Sequence, residues 1–255
     1  MPKLTILGSG TCAPSLQRSS SSLLLEGTEE KVLFDLGPGT MRRLLERGAN
    51  IDEIDAIVLS HIHPDHSAEL PAFLFSTKYP APMRRNKALR LVGGTGVGIF
   101  HETLSKAFEE TISLPEEILR ITELGDEGED DSLFREFSLQ WTTVVHRPES
   151  RAYRFTSTEG TSLVVSGDTD YSENLIKLAD GANIFVCESA FPDEDRVPGH
   201  LTPSLAGEIA ARAGVRQLVL THFYPVTEGC DIEAQCRKTY SGALTLARDL
   251  LEIDF

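Results

Sequence analysis

Residues 61–66 read His61-Ile62-His63-Pro64-Asp65-His66, three imidazoles and a carboxylate within six positions. Buried polar groups cost free energy unless they find partners, so this run is a poor choice for a core. It follows the apolar stretch Ile57–Ser60 directly, which predicts a short buried strand that delivers the run to a sheet edge. Imidazole nitrogen and carboxylate oxygen suit zinc at about 2.0–2.2 Å. His61 and His63 point the same way if the strand direction persists, and a turn at Pro64 would send Asp65 and His66 towards a second ion.

Three more candidates end apolar stretches. His146 follows Leu139–Val145, His222 follows Leu218–Thr221, and Asp168 sits in the turn Ser166-Gly167-Asp168-Thr169 after Leu163–Ser166. Ligands gather at the C-terminal ends of strands in α/β sheets. A lone histidine there is usually structural; three such residues beside the 61–66 run point to a metal site.

Outward from these residues, strand and amphipathic helix signals alternate as in an α/β protein. Lys3–Leu7, Ser22–Glu26 and Val32–Leu36 read as strands, and Phe137–Val145, Ala152–Thr156, Ser162–Val165 and Ile184–Cys187 follow later. Thr40–Arg47, Ala68–Ser76, Gly98–Thr111 and Pro203–Ala213 read as helices, the last with Thr202 as N-cap and Pro203 at its first position. The acidic stretch Glu123–Ser132 reads as a surface loop. Both halves end strands in candidate ligands, which suggests one domain, residues 1–255, built from two similar sheets.

Composition narrows the function classes. The 255 residues carry a formal charge of −15, which argues against wide nonspecific contact with nucleic acid. Lys78, Arg84, Arg85, Lys87 and Arg90 nevertheless cluster after the main motif, either as a basic patch that assists substrate binding or as a solvated loop face. The four cysteines form no CxxC pair, no apolar run approaches the roughly 20 residues of a membrane span, and the N-terminus lacks signal-peptide features. Scattered thiols of this kind suggest a cytoplasmic protein.

The sequence resembles the metallo-β-lactamase superfamily, and within it the ribonuclease Z-like branch. The resemblance runs from Gly8-Ser9-Gly10 and Pro14 through residues 33–40 and Ser60–His66. It continues through His146, Tyr153-Arg154, Ser166–Thr169, His200 with Ala206-Gly207, and Leu220–Phe223. It implies an αββα sandwich, two mixed β-sheets packed face to face with helices on both outer faces. It also implies two divalent ions, zinc first and Mn2+ or Fe2+ as substitutes. His61, His63, His146 and Asp168 would hold one ion; Asp65, His66, His222 and the same Asp168 the other. Asp35 would orient a ligand histidine or stabilise its own turn.

By the same resemblance His200 would protonate the leaving oxygen or steady the scissile phosphate, with Glu188 orienting it, while Asp65 holds the nucleophile's proton. Two ions sharing a water would bring its pKa from 15.7 towards about 7, giving a bridging hydroxide. One departure matters. Typical ribonuclease Z enzymes carry a transfer-RNA-gripping arm between the middle histidine and the bridging aspartate, whereas here Ala152–Val165 reads as a plain hairpin. The expectation is therefore a zinc-dependent hydrolase acting on a small phosphodiester or nucleotide-like ester, with RNA disfavoured and a homodimer implied by the branch. Cleavage of precursor transfer RNA would instead mark an armless 3′-processing endonuclease. Turnover of chromogenic esters would mark a carboxylic or sulfate ester hydrolase, of lactones or thioesters for example. A noncatalytic metal-binding scaffold would turn over neither, and a mononuclear iron oxygenase would hold one ion.

Overall fold

The computed structural model describes residues 2–80 and 84–255. Among the described residues, fourteen strands form two seven-stranded sheets. The first contains β1 (Lys3–Gly8), β2 (Ser22–Glu26), β3 (Lys31–Phe34), β4 (Ala56–Val58), β5 (Leu89–Gly94) and β6 (Leu119–Leu124), with β14 (Leu251–Asp254) on the free edge of β1. The second runs β13 (Ala243–Leu246), β12 (Gln217–Thr221), β11 (Ile184–Glu188), β10 (Ser162–Val165), β9 (Arg151–Ser157), β8 (Phe137–Thr143) and β7 (Glu127–Asp130). β1 to β6 pair in the order antiparallel, antiparallel, then three times parallel. The series β8 to β13 repeats that order, so the two sheets are similar units, as the paired ligand positions suggest.

Strand periodicity explains the layers. Leu23, Leu25, Val32, Phe34, Ala56 and Val58 join the core between the sheets. Their neighbours Leu24, Leu33 and Ile57 pack in a second core with Leu44 of α1 (Thr40–Glu46) and with Phe73 and Leu74 of α3 (Leu70–Lys78). Side chains alternate across a strand, so strands buried on both faces become continuous apolar runs such as Ala56-Ile57-Val58. α5 (Glu173–Leu178) and α6 (Pro203–Arg212) cover the second sheet. The αββα sandwich expected from the resemblance is the architecture found. Among the described residues no helix is long and apolar enough to cross a membrane.

One local expectation fails. Glu123–Ser132 is not a loop: it contributes the end of β6 and all of β7, which pairs with β8 from Glu127↔Thr142 to Asp130↔Leu139. An exposed edge strand, held by backbone pairing, needs no apolar alternation to announce it. Gly128 lies so close beneath the Trp141 ring that a Cβ there would fall 2.5 Å from it. Thr202 does occupy the N-cap of α6 but makes no side-chain capping bond; Asp193 Oδ1 accepts from Ser204 N at 3.1 Å instead.

Candidate metal centre

Parallel pairing of β3 with β4, and of β10 with β11 and β12, brings their carboxyl ends to a common edge in each sheet. Five candidate positions stand at or just after those ends: Asp35, Ser60-His61, Asp168, Glu188 and His222. β4 leads through Ser60 and His61 into α2 (Pro64–Ser67), which starts with Pro64 at N1 and carries Asp65 and His66. Ser67 Oγ donates to the carbonyls of Ile62 and His63, both at 3.0 Å, and so fixes the reversal of the chain. Gly37 passes against this segment so closely that a Cβ would stand 2.1 Å from the Asp65 carbonyl.

Asp35 does both things considered for it. Its own φ is +56°, and its Oδ1 accepts from Ser60 N at 2.7 Å while Oδ2 accepts from Ser60 Oγ at 2.9 Å, which stabilises the turn. Oδ2 also lies 2.7 Å from His66 Nδ1. With that nitrogen donating, His66 presents the Nε2 lone pair inward, the carboxylate–histidine arrangement that orients metal ligands. His146 is fixed in the same sense, its Nδ1 donating to Gly199 O at 3.0 Å.

Asp168 sits at the middle. Its Oδ1 faces His66 Nε2 at 3.2 Å and His222 Nε2 at 3.3 Å, while its Oδ2 faces His61 Nε2 at 3.8 Å and His146 Nε2 at 4.0 Å. Asp65 Oδ2 completes the first side, 3.5 Å from His222 Nε2. His63 Nδ1 completes the second, 3.2 Å from His146 Nε2. All seven expected ligands thus fall into two groups, each with its ligand atoms within 4.8 Å of one another: His61, His63, His146 and Asp168, and Asp65, His66 and His222.

These donor sets fit divalent cations. His66 Nε2 and His222 Nε2 face each other at 3.2 Å, and His61 Nε2 and Asp168 Oδ1 are buried without a hydrogen-bond partner among the described residues. Lone pairs converging in a buried space need a cation or a proton between them. Burial, with His66 alongside, holds the His61 imidazole well below its usual range, so it stays neutral. Burial would raise the Asp168 carboxyl, yet His222 and His66 hold it well below the usual carboxylate range.

His200 stands at the rim. Its ring lies parallel to His222 at 5.8 Å, and its Nδ1 is 3.0 Å from Glu188 Oε1. Burial opposes a charge on His200, but the hydrogen bond and charge of Glu188 push its pKa up to about 9. Glu188 is itself buried and accepts from Thr169 N at 2.7 Å and Leu201 N at 3.2 Å, so its direction is fixed.

Residues 16–200 match the model of the metallo-beta-lactamase superfamily. The chain belongs to that superfamily. The uncharacterized protein ML1173 of Mycobacterium leprae is 31% identical over 94% of this chain and 84% of its own length. The ribonuclease Z of Streptomyces coelicolor is 27% identical over 98% of this chain and 97% of its own, in keeping with the ribonuclease Z-like branch. That alignment runs over 312 residues against 255 in this chain, so the Streptomyces enzyme has insertions absent here. The metallo-beta-lactamase fold protein YhfI from Bacillus subtilis shares the fold over 100% of both chains, with a TM-score of 0.84 at 20% identity.

Three features of the site went unread in the sequence. Ser60, between Asp35 and His61, has its hydroxyl 3.0 Å from His61 Nδ1. Phe191 and Tyr224 stack at 4.5 Å beside His200 and His222; Tyr224 follows His222 by two residues, the only hint available. A cleft of about 510 Å³ opens from Asp65 between the Cys12–Ser20 loop and the start of α1, bordered by Arg18, Arg42 and Arg43. The basic cluster, by contrast, is not at the site. Arg85 is buried and donates to the carbonyls of Lys87, Ile51, Ile54 and Ala88, and Lys87 pairs with Asp55 at 2.8 Å. These residues flank the amino ends of β4 and β5, whereas the candidate ligands follow the carboxyl ends. The hairpin between His146 and Asp168 is plain, as expected: β9 and β10 are joined by residues 158–161 alone.

Proposed function

We propose that residues 1–255 act as one hydrolase domain, a dinuclear zinc-dependent phosphodiesterase. The observation that carries this reading is the division of the Asp168 carboxylate, one oxygen towards each histidine group. His61, His63, His146 and Asp168 would hold one ion, and Asp65, His66, His222 and Asp168 the other. Two divalent ions held there would lower the pKa of a water and offset charge on a phosphate.

The chain's own residues do the rest. Asp65, whose Oδ2 lies 3.5 Å from His222 Nε2 at the heart of the site, is the acceptor for the proton of the attacking water. His200, kept protonated by Glu188, donates from its other nitrogen to the departing oxygen. Nearby arginines at the cleft mouth, Arg42 the most exposed of them, suit an anionic diester.

The plain hairpin and the charge of −15 favour a small phosphodiester over transfer RNA. Activity on precursor transfer RNA is the second reading, favoured by the full-length similarity to a ribonuclease Z. Purified protein assayed on bis(p-nitrophenyl) phosphate beside chromogenic carboxylic and sulfate esters tests the class. Phosphodiester turnover alone is expected; turnover of the other esters alone would remove the assignment.

A further inference from the structure

At the end of the sandwich opposite the metal centre lies a second cavity, of about 300 Å³, within the size range of small-ligand sites. It borders Asp55 and Ala56 at the amino end of β4, while Ser60 marks the other end. Five residues of extended chain put it on the order of 16 Å from the metal ligands. Four cations line it, Lys87, Arg90, Arg120 and Arg135, against two carboxylates, Glu30 and Asp55.

Both carboxylates are engaged. Asp55 Oδ2 takes Lys87 Nζ at 2.8 Å and its Oδ1 takes Arg135 at 3.0 Å. Glu30 Oε2 accepts the backbone amides of Arg135 and Glu136 at 2.8 and 3.2 Å. Arg90 and Arg120 are left over. They are register partners on neighbouring parallel strands, and among the described residues neither has a carboxylate within 4.0 Å. Asp130 feels the charge of Arg90, but its Oδ1 is taken up by Ser132 N, Ser132 Oγ and Leu133 N at 2.6–3.0 Å.

Like charges brought close together repel one another. Keeping two unpaired arginines on the wall of one cavity, in a protein with 39 acidic residues against 24 basic ones, makes physical sense if an anion bridges them. The guanidinium fork suits two oxygens of one phosphate, and buried Leu133 and Phe134 supply an apolar wall. We propose that this cavity is a second, noncatalytic binding site for a phosphate monoester carrying a small apolar or aromatic group, held by Arg90 and Arg120. The site is independent of the chemistry proposed for the metal centre.

The test uses the metal-loaded protein and phenyl phosphate, read by amide hydrogen exchange. Protection is expected in residues 87–91 and 132–136, separately from any protection near His61–His66. Arg90→Gln with Arg120→Gln should remove the first and weaken binding there at least about tenfold, the loss expected for charge-assisted hydrogen bonds. Metal content and hydrolysis should be unchanged. Should the double variant fold poorly, Arg120→Gln alone, at an exposed position, carries the test: it should raise the melting temperature in phosphate-free buffer by relieving repulsion and shrink the gain on adding phenyl phosphate. Benzoate, with one charge, should protect the segment less. Protection confined to the metal ligands, benzoate equal to phenyl phosphate, or an unchanged response in Arg120→Gln would each overturn the proposal.

Discussion

His66 Nδ1 lies 2.7 Å from Asp35 Oδ2, both residues buried, so one tautomer of the imidazole is imposed from outside the metal centre. In Asp35→Asn the amide oxygen would still accept from Ser60 N. The amide nitrogen would then face His66 Nδ1 as a donor and turn the inward Nε2 into N–H. We expect metal affinity to fall about 10–100-fold, measured by competition with a chromogenic chelator, with the far-ultraviolet dichroism spectrum retained.

Asp65 and His200 should separate in their effects. Asp65→Ala removes both a ligand and the proton acceptor, and turnover should drop by at least about 100-fold together with metal content. His200→Ala should slow turnover while metal content stays at the wild-type level. Metal loss in the His200 variant would count against its role as proton donor.

The Glu188–His200 pair sets a pH limb. A donor whose folded pKa is raised is protonated below that pKa and inactive above it, so activity is lost as pH rises. Glu188 is what lifts His200 to about 9, against the effect of burial. In Glu188→Gln the alkaline limb of kcat should therefore move to lower pH, by about one pH unit or more. A limb that stays in place would assign it to another group.

Gly37→Ala should act on the site through the backbone. The new Cβ would meet the Asp65 carbonyl at 2.1 Å, pushing the Pro64–Ser67 turn outward. A loss of about 1–3 kcal/mol in stability is expected, measured by urea denaturation, with weaker metal binding.

Arg85→Ala should cost about 1–3 kcal/mol, because buried carbonyls lose their donor, yet leave KM unchanged in the folded protein. A raised KM without loss of stability would return the basic cluster to substrate binding.

The metal centre was the legible part. Its candidate ligands follow apolar strands, and strand ends are visible where a continuous apolar run gives way to polar residues with special turn chemistry. Residues 61–66, His146, Asp168 and His222 were all readable on those grounds, and the two-sheet plan followed from the resemblance. What stayed hidden depends on partners far away in the chain. The His146 tautomer is set by a carbonyl 53 residues on. β7 exists because β8 offers it an edge, not because Glu-Gly-Glu-Asp favours a strand. Arg85 looks like any surface cation until four of its N–H groups are seen to meet carbonyls from two segments, 51–54 and 87–88.

The bridging role of Asp168 is tested most directly by counting metal ions per chain in the wild type and in Asp168→Ala, purified identically in the presence of zinc. The wild type should hold two and the variant fewer than one, since the substitution removes a ligand from both groups at once. Two ions retained in Asp168→Ala, or a single ion in the wild type, would contradict a shared aspartate at a dinuclear centre.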